Sequence, residues 1–305
     1  MMEPVSVAEN PLYINVGNHL MDLRRPRVMG ILNVTPDSFY AGCRVSDAEA
    51  LASRVDSIRR EGADIIDVGA CSTRPGSPSA TEREEWERLE PALACIRERW
   101  PEAVVSVDTF RSSIARRSVE EYGAAIINDV SGGTIDSDMF ETVASLKVAY
   151  VLMHMRGTPA DMQTLTDYED VSADVLGSLM FRAAELRRLG VCDIILDPGF
   201  GFAKTVEQNY RLFSDLQAFA ATGYAILVGI SRKSMLWRPL GLTPEEVLPA
   251  TVALNMAALQ GGASILRVHD VAAARQTVEV YELLRKNARP KEECSVIEYF
   301  GNPAL

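Results

Sequence analysis

Three acceptor side chains each end an apolar run of the sequence. Asp108, Asn128 and Asp197 follow the runs VVSV, AAII and IIL, which suit strands buried on both faces. Pro198 cannot continue a ladder, so the last of these strands should end at Asp197. Compact carboxylates and a carboxamide on rigid strand ends suit a ligand edge with adjacent N–H donors, such as an aminopyrimidinone. Buried carboxylates are costly unless neutralised, so we expect Lys233 to supply the counter-charge.

The stretch IILDPGFGFAK places aromatic rings beside one of these carboxylates. Phe200 and Phe202 flank Gly201, and the glycines allow the backbone to bend tightly or to approach a ligand closely. A flat heterocycle would fit between such rings and Asp197. A structural aspartate in a capped turn explains this single motif equally well, so the other strand ends must decide.

A second set of residues consists mainly of hydrogen-bond donors. It comprises Thr73, Arg74, Arg267 and His269, with Asn33 nearby. Guanidinium groups match phosphate oxygens in a forked geometry, so this set predicts a phosphate or diphosphate site. A carboxamide beside a diphosphate suits Mg²⁺, which keeps most of its waters and takes few protein ligands. The two sets together predict a heterocycle at one end of the site and a diphosphate across the rim.

Eight apolar segments must position these groups. They are Val28–Asn33, Ile65–Ala70, Val104–Thr109, Ala125–Val130, Ala149–Met155, Ile194–Gly199, Ile226–Ser231 and Ile265–Asp270. Amphipathic stretches of helical period lie between them, most clearly at Asp47–Glu61, Glu82–Trp100, Val171–Leu189 and Val247–Leu259. Glycines follow several of these stretches where a helix would stop, at Gly62, Gly123, Gly190, Gly223 and Gly261.

Eight regular strand–helix units favour an α/β fold with one closed parallel (β/α)₈ TIM barrel, whose active site lies at the carboxyl ends of the strands. A doubly wound open sheet is the main alternative, but no GxGxxG motif follows the first strand. We predict an N-terminal arm and β-hairpin over residues 1–27, with Gly17–Asn18 at the turn, the barrel over 28–288, and a tail over 289–305.

Composition limits the partners of the protein. Among 305 residues, 42 acidic and 31 basic side chains give a net charge of −11, which argues against nucleic acid or an anionic membrane. No apolar run reaches the roughly 18 residues of a membrane span. The first residues lack the pattern of a signal peptide, and the five cysteines are scattered without a CxxC pair. We therefore expect a cytoplasmic protein without a zinc site.

Eight motifs in order resemble those of bacterial dihydropteroate synthases across residues 12–287. They are VMGILNVTPDSF, IDVGACSTRPGS, SVDT, IINDVSGG, MHMRGTP, DPGFGFAK, VGISRKS and RVHDV. The resemblance implies a pterin-binding barrel that condenses 6-hydroxymethyl-7,8-dihydropterin diphosphate with p-aminobenzoate, giving 7,8-dihydropteroate and pyrophosphate in folate biosynthesis. It also implies Mg²⁺ as cofactor and a homodimer formed through helices late in the chain.

The resemblance assigns roles residue by residue. Asp108, Asp197 and Lys233 are expected to be catalytic, and the same three residues with Asn128 and Phe202 are expected to bind the pterin. The expected diphosphate site comprises Asn33, Thr73, Arg74, Arg267, Val268 and His269, with Asn33 contacting the metal. The expected p-aminobenzoate pocket comprises Pro36, Phe39, Thr73, Pro75, Phe202 and Ser234, partly on two loops that close over this substrate.

One position departs from the family pattern, and two alternative functions stay open. The family usually has a glutamate before STRP, where this chain has Cys71. That cysteine is either a small inert side chain or one shielded by bound substrate. A pterin-binding methyltransferase would share the pterin residues but has no reason to keep STRPG or the pair Arg267 and His269. A non-catalytic paralogue that binds a pterin or a partner is the other alternative.

Overall fold

The computed structural model describes residues 12–17, 19–35, 44–71 and 80–288. An antiparallel hairpin comes first, with strand β1 at Tyr13–Asn15 and strand β2 at Leu20–Asp22. Gly17 has a φ of +62°, a left-handed conformation that glycine adopts without steric cost, so the chain reverses here. The predicted hairpin is confirmed, although Asn18 lies outside the described residues.

Eight parallel strands close into a barrel in chain order. They are β3 (Arg27–Asn33), β4 (Ile65–Gly69), β5 (Val104–Asp108), β6 (Ile126–Asp129), β7 (Ala149–Met153), β8 (Ile194–Asp197), β9 (Ala225–Val228) and β10 (Ile265–Val268). Strand β10 pairs with both β9 and β3, so the sheet has no edge. This closure confirms the predicted (β/α)₈ barrel and excludes the doubly wound alternative.

The helices follow the strands around the barrel. They are α1 (Arg44–Arg60), α2 (Glu82–Arg99), α3 (Ser112–Tyr122), α4 (Met139–Leu146), α5 (Val171–Arg188), α6 (Val206–Ser214), α7 (Leu216–Ala220), α8 (Ser234–Leu240), α9 (Leu248–Gln260) and α10 (Val271–Lys286). A capping box of Thr81 and Glu84 starts α2 by satisfying free backbone N–H groups. The stop predicted at Gly261 is confirmed, since α9 ends at Gln260 with Gly261 as its C-cap, and the left-handed residue follows at Gly262 with a φ of +97°.

The barrel elements run from Arg27 to Lys286, close to the domain predicted over residues 28–288. The tail predicted over 289–305 lies outside the described residues. Within the described ranges, no helix is both long enough and apolar enough to cross a membrane.

The hairpin closes the amino-terminal end of the barrel. Ile14, Val16 and Leu23 are buried in one cluster with residues from the strand starts, among them Met29 and Ile65. The strand ends at the opposite mouth therefore remain available for a ligand.

Side chains along each strand point alternately into the barrel and out towards the helices, and the inward ones fill the barrel interior above the hairpin. On β4, Ile66 and Val68 face the helices in the outer core, whereas Ile65 joins the inner cluster. The next inward residue after Ile65 is Asp67, which is fully buried. The barrel interior thus changes from apolar to polar towards the carboxyl ends of the strands.

Candidate active site

Arg267 lies at the centre of the polar layer. Its Nε donates to Asp67 Oδ2 at 2.7 Å, and its Nη2 donates to Asp108 Oδ2 at 2.6 Å. The guanidinium side chain is 18% exposed, so both ion pairs are largely shielded from water. The predicted role of Arg267 at a diphosphate stays a prediction. In the structure its cation pairs with Asp108, one of the carboxylates predicted to bind the heterocycle, and with Asp67 beneath it.

Asp67 is a site residue that the sequence reasoning missed. Its carboxylate accepts from Ser106 Oγ at 2.6 Å, from Asn128 Nδ2 at 3.2 Å and from Arg267. The sequence does contain a signal for Asp67. It is a polar residue at an inward position of the buried run IIDVG, and such a residue requires a polar neighbour inside the barrel. Asp67 is not a strand-end residue, since it lies two residues before the end of β4.

Asp108 ends β5, directly between Gly69 of β4 and Asn128 of β6 in the strand register. Burial raises the pKa of its carboxyl to about 7, and the neighbouring Arg267 opposes this shift. The carboxyl group therefore titrates near neutral pH. Such a group accepts hydrogen bonds when ionised and can donate one when protonated.

Asp197 ends β8 and is also buried. Burial raises the pKa of its carboxyl, while the Lys233 charge and a hydrogen bond from Gly199 N to Oδ1 at 2.8 Å act in the opposite direction. The Lys233 ammonium donates to Phe200 O at 2.6 Å and lies 4.9 Å from the centroid of the Phe202 ring. Lys233 thus acts on Asp197 through its charge, and its direct hydrogen bond goes to the backbone of the neighbouring turn.

The same environment weakens the charge of Lys233. Burial and the like charge of Arg267 lower the pKa of its ammonium to about 8, although Asp197 and Asp108 favour the charged form. Gly229 lies beside both cations, since a Cβ at this position would be in van der Waals contact with Arg267 Cβ at 3.7 Å and with Lys233 Nζ at 3.9 Å. Two cations and two carboxylates therefore share one end of the barrel.

A second buried lysine organises the turn after Asp197. Lys204 is 4% exposed, and its ammonium donates to Gly199 O at 2.9 Å and to Phe202 O at 3.0 Å. It also lies 3.2 Å from His154 Nδ1, which must accept because an ammonium only donates. Burial lowers the pKa of Lys204 to about 7. The sequence reasoning did not single out this residue.

His154 is buried in the core beneath this turn. Its side chain is 6% exposed, and burial together with the Lys204 charge lowers its pKa to about 2. The imidazole is therefore neutral, with its proton on Nε2 while Nδ1 accepts from Lys204. It supports the turn that carries Phe202.

His269 follows β10 at the rim. Its backbone N donates to Ser231 Oγ at 3.2 Å, and its Nδ1 lies 3.1 Å from the same hydroxyl. Since this hydroxyl already accepts the backbone N–H, it can donate to Nδ1, which leaves Nε2–H as a free donor. Burial and the nearby Arg267 lower the pKa of His269 to about 4. A neutral donor of this kind suits an anionic ligand.

Val268 does not contribute a side chain to this site. It occupies the outward phase of β10 and is 1% exposed within the outer core. Only the backbone of Val268 can reach a ligand, so a contact with a diphosphate would come from its backbone N–H group and not from its side chain.

Asn33 ends β3 with an exposed side chain. A Cβ at Gly69 would lie 3.3 Å from Asp108 Cβ and 3.7 Å from Asn33 Oδ1, so this glycine separates the two polar residues with little bulk. No cluster of three or more acidic, histidine or cysteine side chains that could hold a metal is found among the described residues. The exposed amide oxygen of Asn33 is compatible with a cation that keeps most of its waters.

Cys71 belongs to a polar cluster beside the rim. Its thiol lies 3.5 Å from Glu85 Oε2 and 3.6 Å from Arg111 Nη1, and Arg111 is ion-paired with the fully buried Glu85. Burial and the Glu85 charge raise the pKa of the thiol to about 11. A thiol of this kind is poorly nucleophilic, which favours the inert interpretation of Cys71.

The structure brings together most of the predicted site residues at one end of the barrel. Ser234 is the first residue of α8, directly after Lys233. The remaining predicted residues, Pro36, Phe39, Thr73, Arg74 and Pro75, lie outside the described residues. The arrangement provides buried acceptors for a ligand edge, an aromatic ring and cations for anionic groups.

Comparisons with known proteins agree with this arrangement. The family described as "Pterin binding enzyme" matches residues 29–269. The chain is 39% identical to a dihydropteroate synthase of Synechocystis sp. over 278 residues, covering 90% of this chain and 96% of that protein. It is 40% identical to the mitochondrial folate synthesis bifunctional protein of Arabidopsis thaliana, covering 90% of this chain but only 53% of that protein.

A solved structure gives the same result for the fold. The Xanthomonas albilineans dihydropteroate synthase with 4-aminobenzoic acid superposes with a TM-score of 0.84 at 35% identity, covering 92% of this chain and all of that chain. The barrel, its polar strand ends and the matched region define a pterin-binding enzyme. Within that class, the chain belongs to the dihydropteroate synthase family.

Proposed function

We propose that this protein condenses 6-hydroxymethyl-7,8-dihydropterin diphosphate with p-aminobenzoate, forming 7,8-dihydropteroate and pyrophosphate in folate biosynthesis. The observation that carries the proposal is the group formed by Asn128 and Asp197, which are buried, and Asp108, whose side chain is 13% exposed, with Arg267 and Lys233 among them. This group supplies acceptors for the N–H donors of a pterin edge. Arg267 and Lys233 keep the carboxylates from being left without counter-charge.

In the proposed reaction, the bond between the pterin methylene carbon and the diphosphate oxygen breaks, and both electrons leave with the oxygen. The electron-rich dihydropterin stabilises the resulting methylene cation. The amine of p-aminobenzoate then forms the new C–N bond and loses one proton. Asp108 and Asp197 can stabilise positive charge on the ring because their carboxylates are already fixed in a buried site. No protein nucleophile is needed.

The leaving group would contact donors at the rim. The Nε2–H of His269 would donate to the diphosphate, because its Nδ1 is already hydrogen-bonded to Ser231 Oγ. Arg267 contributes positive charge nearby while it remains paired with Asp67 and Asp108. Thr73 and Arg74 are proposed to complete the diphosphate site on the basis of the motif STRPG.

Mg²⁺ is proposed as the cofactor. Asn33 fits a metal that takes one or two protein ligands, because its side chain is exposed at the rim and neighbours Asp108 across Gly69. When bound, the ion would neutralise charge on the departing diphosphate. The protein residues would orient the substrates and stabilise the pterin.

A homodimer is proposed through α9 and α10. Helix α9 reads LPATVALNMAALQ and has no charged residue, yet Leu248 on it is 38% exposed. A helix that is apolar on all sides is normally covered on all sides. On the adjacent α10, Val280, Leu283 and Leu284 form one face and are 48%, 61% and 56% exposed. A second copy of the chain would cover this continuous apolar surface.

The cytoplasm is proposed as the location. Three described cysteines, Cys71, Cys95 and Cys192, are free thiols, as expected in a reducing compartment.

The function is tested by incubating the full chain with both substrates and Mg²⁺ and detecting 7,8-dihydropteroate by mass spectrometry. We expect product only when p-aminobenzoate and the pterin diphosphate are both present. Pterin binding without product would support the non-catalytic paralogue instead.

A further inference from the structure

Asp67 connects Asn128, which is proposed to bind the pterin, with Arg267, which is proposed to act on the diphosphate. Its Oδ2 accepts from Asn128 Nδ2 at 3.2 Å and from Arg267 Nε at 2.7 Å, while its Oδ1 accepts from Ser106 Oγ at 2.6 Å. Asp67 is fully buried on β4. It lies one layer deeper in the barrel than the strand ends, so it acts through its neighbours.

The hydrogen bond between Asn128 Nδ2 and Asp67 Oδ2 determines the orientation of the Asn128 side-chain amide. A carboxylate paired with a guanidinium has no hydrogen to donate, so only the Nδ2 side of the amide can face Asp67. The amide oxygen must therefore point away from Asp67, and it accepts no hydrogen bond from the described residues. The other two proposed pterin residues, Asp108 and Asp197, are carboxylates that need no such orientation.

We propose that Asp67 is a positioning residue that fixes Asn128 as a hydrogen-bond acceptor and thereby makes the site selective for pterins. The inference rests on the proposed function and deepens it. A pterin has a 2-amino donor, whereas a lumazine has a 2-oxo acceptor at the same place. When Asp108 and Asp197 are ionised they can only accept, so Asn128 is the one of the three that could become a donor to a lumazine by turning its side chain, and Asp67 prevents this turn.

The variant Asp67→Ala removes the acceptor that holds the amide. Arg267 keeps Asp108 as a partner, so the cation is not left alone. The variant Asp67→Asn retains a carbonyl that can accept from Asn128 and Arg267, while the Ser106 hydroxyl turns to accept from the new amide. The two variants therefore separate the acceptor at this position from its negative charge.

The test measures equilibrium binding of 6-hydroxymethylpterin and of 6-hydroxymethyllumazine to the full-length protein. We expect the unmodified protein to bind the pterin about tenfold more tightly or better, since an unpaired buried polar group is costly. Asp67→Ala should lower this ratio by about fivefold or more, and Asp67→Asn should keep it within about threefold.

A matched control is Asp64→Ala. Asp64 is also a largely buried carboxylate held by two arginines, Arg27 and Arg275, but it lies next to the start of β4 at the other end of the barrel. Its loss should leave the pterin-to-lumazine ratio unchanged. Thermal unfolding of each variant confirms that the measured protein is folded.

The outcomes are distinct. An unchanged ratio in folded Asp67→Ala, or a ratio lost equally in Asp67→Asn, would overturn the role of Asp67 while leaving the proposed function intact. If Asp67→Ala does not fold, the similarly sized Asp67→Leu takes its place, with the same expected fall in the ratio and the same contradiction if the ratio is unchanged. An unmodified protein that binds both ligands equally contradicts the selectivity, and one that binds no pterin contradicts the proposed function itself.

Discussion

The guanidinium of Arg267 donates to the Asp108 carboxylate at 2.6 Å, across the mouth of the barrel from β10 to β5. The contact unites residues that the sequence assigned to opposite ends of the site. It means that the charge proposed to attract the diphosphate also stabilises one of the acceptors proposed for the pterin. Substitution of either partner should therefore affect both ends of the site.

Replacing Arg267 by methionine should destabilise the fold strongly. Asp67 and Asp108 would remain buried without their cation, and loss of one member of a buried ion pair costs about 3–5 kcal/mol. Urea unfolding measures this as a fall in the free energy of unfolding. The control is Arg116→Met, whose pair with Glu120 is exposed and should cost about 0.5 kcal/mol or less. A loss at Arg267 no larger than the control would show that the carboxylates do not depend on it.

The pH dependence of pterin turnover should be bell-shaped. Asp108 has a raised pKa of about 7, so its carboxylate is lost as pH falls through that value. Lys233 has a lowered pKa of about 8, so its charge is lost as pH rises through that value. Both groups are in the charged form only between these limits. The measurement is kcat/KM for the pterin diphosphate from pH 5.5 to about pH 9.5.

Asp108→Asn provides the control for this profile, because it should remove the Asp108 contribution to the acid limb and leave the alkaline limb. The same raised pKa affects stability. Asp108 contributes stability that is fully present below its unfolded value and is lost as pH rises through about 7. A wild-type profile of kcat/KM that is flat across neutral pH would contradict the pKa values assigned to Asp108 and Lys233.

Replacing Lys204 by methionine should loosen the turn after Asp197. The carbonyl oxygens of Gly199 and Phe202 would lose a buried donor, which should lower the free energy of unfolding by about 1–3 kcal/mol and weaken pterin binding. The pKa of His154 should also rise, since the Lys204 charge now lowers it, and NMR titration can follow this change.

The exposed Lys147 offers a matched control for that experiment. Lys147→Met removes the same charge far from the turn and should change neither pterin affinity nor the His154 titration. Equal behaviour of the two variants would show that Lys204 does not organise the turn.

The double substitution of Leu283 and Leu284 by aspartate should convert a dimer into a monomer. Both side chains are more than half exposed on α10, so charge there should not disturb the barrel core but should oppose burial against a second copy. Sedimentation equilibrium measures the mass. Phe181→Asp on α5, where the ring is 74% exposed, is the control and should remain dimeric. A wild-type monomer would contradict the proposed interface.

The sequence predicted the barrel and the placement of most described site residues. Apolar runs indicate the buried strands, breakers such as Pro198 mark where they end, and parallel strands bring those ends to one mouth of the barrel. Asn33, Asp108 and Asp197 were therefore found from their positions alone.

Contacts between residues on opposite sides of the barrel could not be predicted from these local sequence patterns. Whether Arg267 reaches Asp108 depends on strand tilt and stagger, which no local pattern specifies. Lys204 was missed because its role depends on the curled backbone from Gly199 to Ala203, where Ala203 has a φ of +49°. Asp67 lies at an inward position beneath the strand ends, where no breaker or polar neighbour in the sequence marks it as part of the site.

The most direct test of the central claim is pyrophosphate release by the full chain with Mg²⁺, omitting one substrate at a time. We predict release that requires both p-aminobenzoate and the pterin diphosphate. It should fall by about 100-fold or more in Asp197→Asn. Asp193→Asn should not change it, because Asp193 binds Asn15 N near the amino end of the same strand. Release independent of p-aminobenzoate, or equal rates in Asp197→Asn and the unmodified protein, would contradict the account.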